Sequence, residues 1–258
     1  MKRIFDITVF LLLLSFAAGA QTLEHLNDSC ETLAERMTVP IGYERIIDQP
    51  NAFTTYLQSL PLKSPEALVH YYNGKIKNRE GVYCAVVDLE IGNRDLLQCA
   101  DACMLLYGEY LFAMKQYDEI QFNFVSDSKP RFFKDYTSKR NYAAFRKYMN
   151  YIFAYANTRS LHGQLKPVTD FMSMQPGDIL IQTGNPYGHA VMVVDMVVDK
   201  RTGKKKYLLA QSYMPAQEIQ ILINPAAANG SPWYELKNET IHTPEWIFSP
   251  DDLRRFKN

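Results

Sequence analysis

Two runs, His189–Val198 and Lys206–Gln211, flank the turn residues Lys200-Arg201-Thr202-Gly203 and read as the strands of one hairpin. A hairpin commits a chain more narrowly than an isolated helix or strand, because the position of its turn decides which residues face each other. A turn near residues 200–202 makes paired positions sum to about 400–402. His189 is then opposite Gln211 or Tyr213 on one side of the sheet, and Ser212 points away. Neighbouring segments extend the pattern. Gln175-Pro176-Gly177-Asp178 is a turn feeding a strand at Ile179–Gln182, with Asp178 as a turn residue, and Glu218–Ile223 reads as a further strand ended by Asn224-Pro225. The last third of the chain is β-rich. Its tail, with Ser231-Pro232-Trp233-Tyr234 and Thr243-Pro244-Glu245-Trp246, is aromatic and punctuated by proline.

Earlier in the chain the two periods mix. Leu23, Leu26, Cys30, Leu33 and Met37 recur at three- and four-residue steps and predict an opening helix, ended by Pro40 and Gly42. A short helical stretch at Phe53–Leu60 stops at Pro61. Leu68–Tyr72 reads as a strand entering a tight turn at Asn73-Gly74. Val82–Ile91 reads as a strand buried on both faces, in which Asp88 must find donors or take up a proton. Helical spacing runs from Asp95 to Lys115, and Ile120–Val125 is another strand. Asn141–Asn157 forms a further helix with Phe145, Tyr148, Ile152 and Phe153 inward; the polar, basic segment Ser126–Arg140 before it reads as surface loop. With no internal repeat, low-complexity tract or linker, residues 21–258 are expected to form a single α+β domain.

Residues 1–20 stand apart. Met1-Lys2-Arg3 precedes a run from Ile7 to Ala18 that is apolar except for Thr8 and Ser15, and Ala18-Gly19-Ala20 supplies a small-x-small cleavage pattern. This is the pattern of a secretory signal peptide. The run falls short of the ~20 apolar residues a spanning helix needs. A soluble mature protein in the periplasm or outside the cell, without a stable membrane span, is therefore expected. Lys+Arg and Asp+Glu number 28 each, so no uniform field exists to attract nucleic acid. In an oxidising compartment, Cys30, Cys84, Cys99 and Cys103 allow two disulfides in three connectivities, among which Cys30–Cys84 is conceivable. Cys99 and Cys103, i and i+4 on one helix, are poorly oriented for bonding each other.

The arrangement that points to chemistry is a cysteine early in a helix and a histidine, far along the chain, at the start of a strand. Asp95 reads as an N-cap with Gln98 three residues on, which puts Cys99 in or just past the first turn. Free backbone N–H groups and the macrodipole there favour a thiolate and lower its pKa. A nucleophilic thiol also needs an imidazole to take its proton. His189, preceded by Gly188 and held by the apolar strand Ala190–Val194, is the best placed of the five histidines. A third group should orient the ring. Asp195 fails, because six residues of strand at ~3.3 Å each span about 20 Å. Gln211 on the neighbouring strand can accept from a ring N–H. Cys99 also lies on the apolar stripe of its own helix, so a core cysteine is the competing reading; Cys103 reads as core. His25, His70, His162, His189 and His242 are scattered without HExxH or paired CxxC spacing, and no glycine-rich phosphate loop is present. No metal or cofactor is expected. Trp233, Tyr234 and Trp246 could line a sugar-binding groove or pin the tail to the core. Asp88, Asp101 and Glu109 are polar candidates for a carbohydrate-hydrolysing reading, without a carboxylate pair of diagnostic spacing.

The segments Asp95–Ala102 (DLLQCADA), Gly177–Asp195 (GDILIQTGNPYGHAVMVVD), Leu208–Gln217 (LLAQSYMPAQ), Ser231–Tyr234 (SPWY) and Thr243–Phe248 (TPEWIF) resemble one bacterial family, domain of unknown function 4846, common among exported proteins. The resemblance spans nearly all of the mature chain. It departs at Met104-Leu105-Leu106, where the family tends to carry Arg, and at an extra Tyr187 before Gly188-His189. A weaker resemblance is to the NlpC-type cell-wall cysteine peptidases, which are papain-like. Their Pro-Gly-Asp turn, apolar strand, Gly-His and second apolar strand are matched here. The resemblance implies a papain-like α+β fold, an antiparallel sheet against a cysteine-bearing helix, with N-terminal and inserted helices. It also implies the order nucleophile, base, polar third residue, filled by Cys99, His189 and Gln211. Two departures are Gln98-Cys99-Ala100 in place of Asp-Cys-Ser, and a Cys–His separation long enough to need the Asn141–Asn157 helix as an insertion. The expected activity is an exported thiol hydrolase or acyltransferase acting on an amide bond in cell-wall peptides. The alternative is a non-catalytic papain-like envelope module that binds a polysaccharide or protein partner.

Overall fold

The hairpin is the spine of the sheet. In the computed structural model, which describes residues 26–49 and 52–257, His189–Val198 pairs antiparallel with Lys205–Gln211 around a turn closed by Gly203 N–H to Asp199 O at 2.7 Å. The signal peptide expected at residues 1–20, and the start of the opening helix, lie outside the described residues.

In chain order the helices are α1 (Leu33–Arg36), α2 (Phe53–Gln58), α3 (Cys99–Ala113), α4 (Phe133–Tyr136), α5 (Tyr142–Tyr155) and α6 (Thr158–Gln164). The strands are β1 (Glu44–Arg45), β2 (Tyr83–Val86), β3 (Gln121–Asn123), β4 (Pro130–Phe132), β5 (Lys166–Pro167), β6 (Ile179–Gln182) and β7 (His189–Val198). They continue with β8 (Lys205–Gln211), β9 (Gln220–Leu222), β10 (Tyr234–Glu235), β11 (Ile241–His242), β12 (Ile247–Phe248) and β13 (Leu253–Arg255). A nine-stranded antiparallel sheet runs β2-β9-β8-β7-β6-β13-β5, with β1 added to β7 and β10 to β8. β11–β12 and β3–β4 form separate two-stranded pairs. The fold is mixed α and β, a large antiparallel sheet with several helices. No helix of the described residues is long and apolar enough to cross a membrane.

The two faces of β7 explain the layers. Ala190, Met192 and Val194 pack into one apolar cluster with α3 and α5, whereas Val191 and Val193 pack into a second with Phe171, Tyr234, Phe248 and Leu253. A bulge between Val193 and Asp195 then swaps the parity, so Val197 joins the α3 side and Met196 the other. The sheet is thus covered by helices on one face and by the chain's tail on the other. Trp233 and Tyr234 are buried and pin the tail, Trp233 in the helix-side cluster and Tyr234 in the other.

Several expectations need correction. The opening helix shrinks to α1, because Leu26 and Met37 pair as an antiparallel bridge. Leu68–Tyr72 makes only isolated bridges, His70 to Ile76 and Tyr71 to Gln217, although the turn at Gly74 is present. The Val82–Ile91 strand ends at Val86, and Asp88 beyond it is exposed, so its carboxylate needs no buried donor. Ser126–Arg140 is not wholly surface loop: it holds β4 and α4, with Phe133 fully buried. The helix expected from Asp95 begins instead at Cys99, with Gln98 as N-cap. Asp95 lies upstream and ties two loops together, its Oδ1 accepting from Gln98 Nε2 at 3.1 Å and from Ala216 N–H at 2.7 Å.

Candidate active site

The site forms where β7 and β8 part. Their ladder ends at Met192 and Ala210. Val193 directs both backbone groups toward β6, donating to Asp178 O at 2.8 Å and accepting from Gly177 N–H at 2.7 Å. By alternation, Ala190 N–H points to the β8 edge, where Ser212 would be its partner. Ser212 has turned away instead, its hydroxyl bonding Leu97 O at 2.9 Å and Gln217 O at 2.7 Å. The Ala190 amide lies on the Cys99 side and favours the thiolate form of that sulfur.

Cys99 is the first residue of α3, so its own N–H and that of Ala100 also lack helical acceptors and point at the sulfur. These amides favour a thiolate. Burial opposes them and dominates, with the Asp101 carboxyl adding to it, and the thiol is pushed up to about 11. The helix-start amides do act in the expected direction, but burial outweighs them and the net shift is upward; Cys99 is only 9% exposed. Cys103 is buried in the core, and Cys30, Cys84, Cys99 and Cys103 are all free thiols.

His189 is 2% exposed, and its Nε2 is 2.8 Å from Gln211 Oε1. The register expectation placed His189 opposite Gln211 or Tyr213, and the ring contacts both: Tyr213 lies 4.7 Å away, centroid to centroid. Trp246 at 5.2 Å and Phe248 at 5.9 Å enclose the remaining faces. The amide of Gln211 donates through Nε2 to Glu245 Oε2 at 2.7 Å. Its oxygen must therefore face the ring, so Nε2 of His189 carries the proton and Nδ1 keeps its lone pair. Burial lowers His189 to about 4, partly opposed by the Gln211 bond and the Glu245 charge, and the ring is neutral at neutral pH.

Behind Gln211 lies a buried Lys77–Glu245 ion pair, with the exposed Arg79 at its edge, that no sequence pattern announced. Lys77 Nζ reaches Glu245 Oε2 at 2.7 Å, both side chains 3% exposed, and Arg79 Nη1 reaches Oε1 at 3.0 Å. Glu245 lies in the aromatic tail and Lys77 in a loop, with no periodicity to connect them. The one available signal is a carboxylate beside Trp246.

Cys99 and His189 line one cleft of about 470 Å³, together with Asp101, Tyr187, Tyr213 and Trp246. A larger groove of about 840 Å³, lined by Phe53, Tyr107 and Tyr110, contains neither the cysteine nor the histidine. Asp195 serves elsewhere, accepting from Arg45 Nε and Gln58 Nε2, each at 2.8 Å. Asp178 is held by Arg255, and Glu109 by Tyr142 and Arg146. Asp101 Oδ2 accepts from Gln98 N–H at 3.0 Å while Oδ1 has no partner; burial raises its carboxyl to about 8. Among the described residues, no group of three or more His, Cys, Asp or Glu side chains is arranged to hold a metal.

No curated protein matches the chain, and no solved structure does. The family model described as Domain of unknown function (4846) matches residues 33–255, from the first helix to the last strand, and the chain belongs to that family.

Proposed function

We propose that this protein is an exported thiol-dependent hydrolase or acyltransferase acting on an amide bond in cell-wall peptides, built as a papain-like, NlpC-type domain. The observation that carries the reading is the His189–Gln211 hydrogen bond at the edge of the cleft that Cys99 also lines. Cys99 Sγ attacks the amide carbonyl as its proton passes to His189 Nδ1, and the new oxyanion is received by backbone N–H groups at the start of α3. The carbon–nitrogen bond then breaks, and the imidazolium returns its proton to the leaving amine. Water completes hydrolysis of the thioester, or a second amine completes transfer. The two resting groups are both neutral, so the charged pair arises only with this proton transfer. The hydrophobic leader at residues 1–20 supports export.

A second reading has one observation in its favour. With the thiol at about 11 and Cys99 9% exposed, the scaffold suits a non-catalytic envelope module that binds a polysaccharide or protein partner. Alkylation separates the two. Under the catalytic reading, iodoacetamide labels native Cys99 at pH 7, and His189→Ala slows that labelling on the order of 10²-fold, as loss of a general base does. Labelling of Cys99 only after denaturation, or at a rate indifferent to His189, removes the catalytic reading.

A further inference from the structure

The geometry points to Glu245 as the positioning residue that decides which nitrogen of His189 carries the proton. The catalytic importance of this rests on the function proposed above; the structural assignment does not. Gln211 is symmetric in shape, and its side-chain oxygen and nitrogen can exchange places by a half-turn about the terminal torsion. With the oxygen toward His189, the ring donates from Nε2 and Nδ1 is a free base. With the nitrogen toward His189, the ring must accept at Nε2, the proton moves to Nδ1, and no base is left on the other side. His189 cannot choose between these by itself.

Glu245 chooses. An ionised carboxylate has acceptors only, so the group Gln211 turns toward Glu245 Oε2 at 2.7 Å has to be its NH2. Glu245 keeps its own place through Lys77 at 2.7 Å and Arg79 at 3.0 Å, and the Lys77–Glu245 pair is almost wholly shielded from water. Shielding strengthens that preference, because a Gln211 with its oxygen toward the carboxylate would set acceptor against acceptor with no solvent to intervene. The neighbouring Trp246 adds a mechanical link. Its ring lies 5.2 Å from His189 and its Nε1–H is fixed to Gln182 Oε1 at 2.9 Å, so the tail cannot shift Glu245 without disturbing the imidazole. The relay carries orientation and no proton, since an amide does not pass protons between its oxygen and its nitrogen on this path.

The test is long-range proton–nitrogen NMR of the histidine side chains in the ¹⁵N-labelled protein, with His189 assigned by substitution. Wild type is expected to show the proton on Nε2; a wild-type ring protonated on Nδ1 overturns the assignment. The double substitution Lys77→Met with Glu245→Met removes the carboxylate without stranding a buried charge, since paired buried ions can be replaced together at little cost in stability. In that variant both orientations of Gln211 become accessible, and the Nε2-protonated form is expected to give way to a mixture of both tautomers. A spectrum unchanged from wild type overturns the proposal. If the double variant does not fold, the wild-type tautomer still decides. Alkylation of Cys99 is read in parallel: inert Cys99 with the expected tautomers sinks the catalytic function and leaves the role of Glu245 standing, whereas reactive Cys99 with a double-variant spectrum unchanged from wild type leaves the catalytic function standing and sinks the role of Glu245.

Discussion

At Cys99 two opposed influences act on one sulfur, and their sizes decide the outcome. A helix start contributes roughly 0.3–1 kcal/mol toward an anion, while burial shifts a titratable group by up to 3–5 pKa units. The position at the head of α3 could be read in the sequence to within a few residues, and the apolar stripe of that helix already offered a buried cysteine as the competing reading; which influence wins is decided by the packing of α3 on β7, which exists only in the fold. His189 and Gln211 were legible for the opposite reason, since a hairpin turn fixes their register locally. Asp101 shows what the same burial does to a carboxyl. Its folded pKa of about 8 lies above the ordinary 3.8, so the stability it contributes is present below about pH 4 and is lost as pH rises toward 8. His189, lowered from 6.5 to about 4, acts in the other sense: its contribution is present above 6.5 and is lost as pH falls toward 4. Below pH 6.5 the two slopes oppose each other, and above it only that of Asp101 remains. Asp101→Asn is therefore expected to flatten the decline in urea midpoint between pH 6.5 and 8, and to uncover a decline on acidification below 6.5. A midpoint profile unaltered by the substitution would show that Asp101 is ionised in the native protein.

Helices and strands were legible in proportion to their length. α5 was recovered with its inward residues Phe145, Tyr148, Ile152 and Phe153, because about four turns leave a clear period. β4 and α4 are three and four residues long, too short to leave any period, and a polar, basic stretch concealed Phe133. Leu26 and Met37 kept helical spacing by coincidence; the chain folds back between them and they face each other across a bridge. The bulge in β7 was equally invisible, since an extra residue leaves no mark in a run that is apolar on both parities. The cap of α5 offers a test confined to one element. Asn141 accepts from Ala144 N–H at 2.9 Å, so Asn141→Ala is expected to lower stability by about 1 kcal/mol in urea unfolding. Because α5 reaches the cleft only through Phe153 and the residues after it, native alkylation of Cys99 should keep its wild-type rate. A change in that rate would show that the register of α5 transmits to the head of α3.

Over the whole molecule, the candidate site joins parts of the chain that no local pattern connects: a loop at Lys77, the head of α3, the hairpin, and a tail that contributes Glu245 and Trp246. That tail is visibly aromatic and proline-punctuated in the sequence, yet its path is not, because β13 slips between β6 and β5 as an interior strand of the sheet. Arg255 fastens this closure. Its guanidinium holds Asp178 with two bonds, Nε to Oδ1 at 2.5 Å and Nη2 to Oδ2 at 2.7 Å, and Asp178 is fully buried in the turn that launches β6 toward His189. Removing one partner of a buried pair commonly costs about 3–5 kcal/mol, since the other charge is left without compensation. Arg255→Ala should approach that loss at pH 8. Burial already raises the Asp178 carboxyl despite the guanidinium, and without Arg255 it would rise further, which makes the stranded group protonate readily as pH falls. A raised carboxyl loses its stabilising contribution with rising pH, so the deficit of Arg255→Ala against wild type should be smaller at pH 5 than at pH 8. Urea unfolding at both values reads this directly. An equal deficit at the two would mean that Arg255 acts through its packed side chain and its bond to Ser173 O, and that the charge of Asp178 plays no part in closing the sheet.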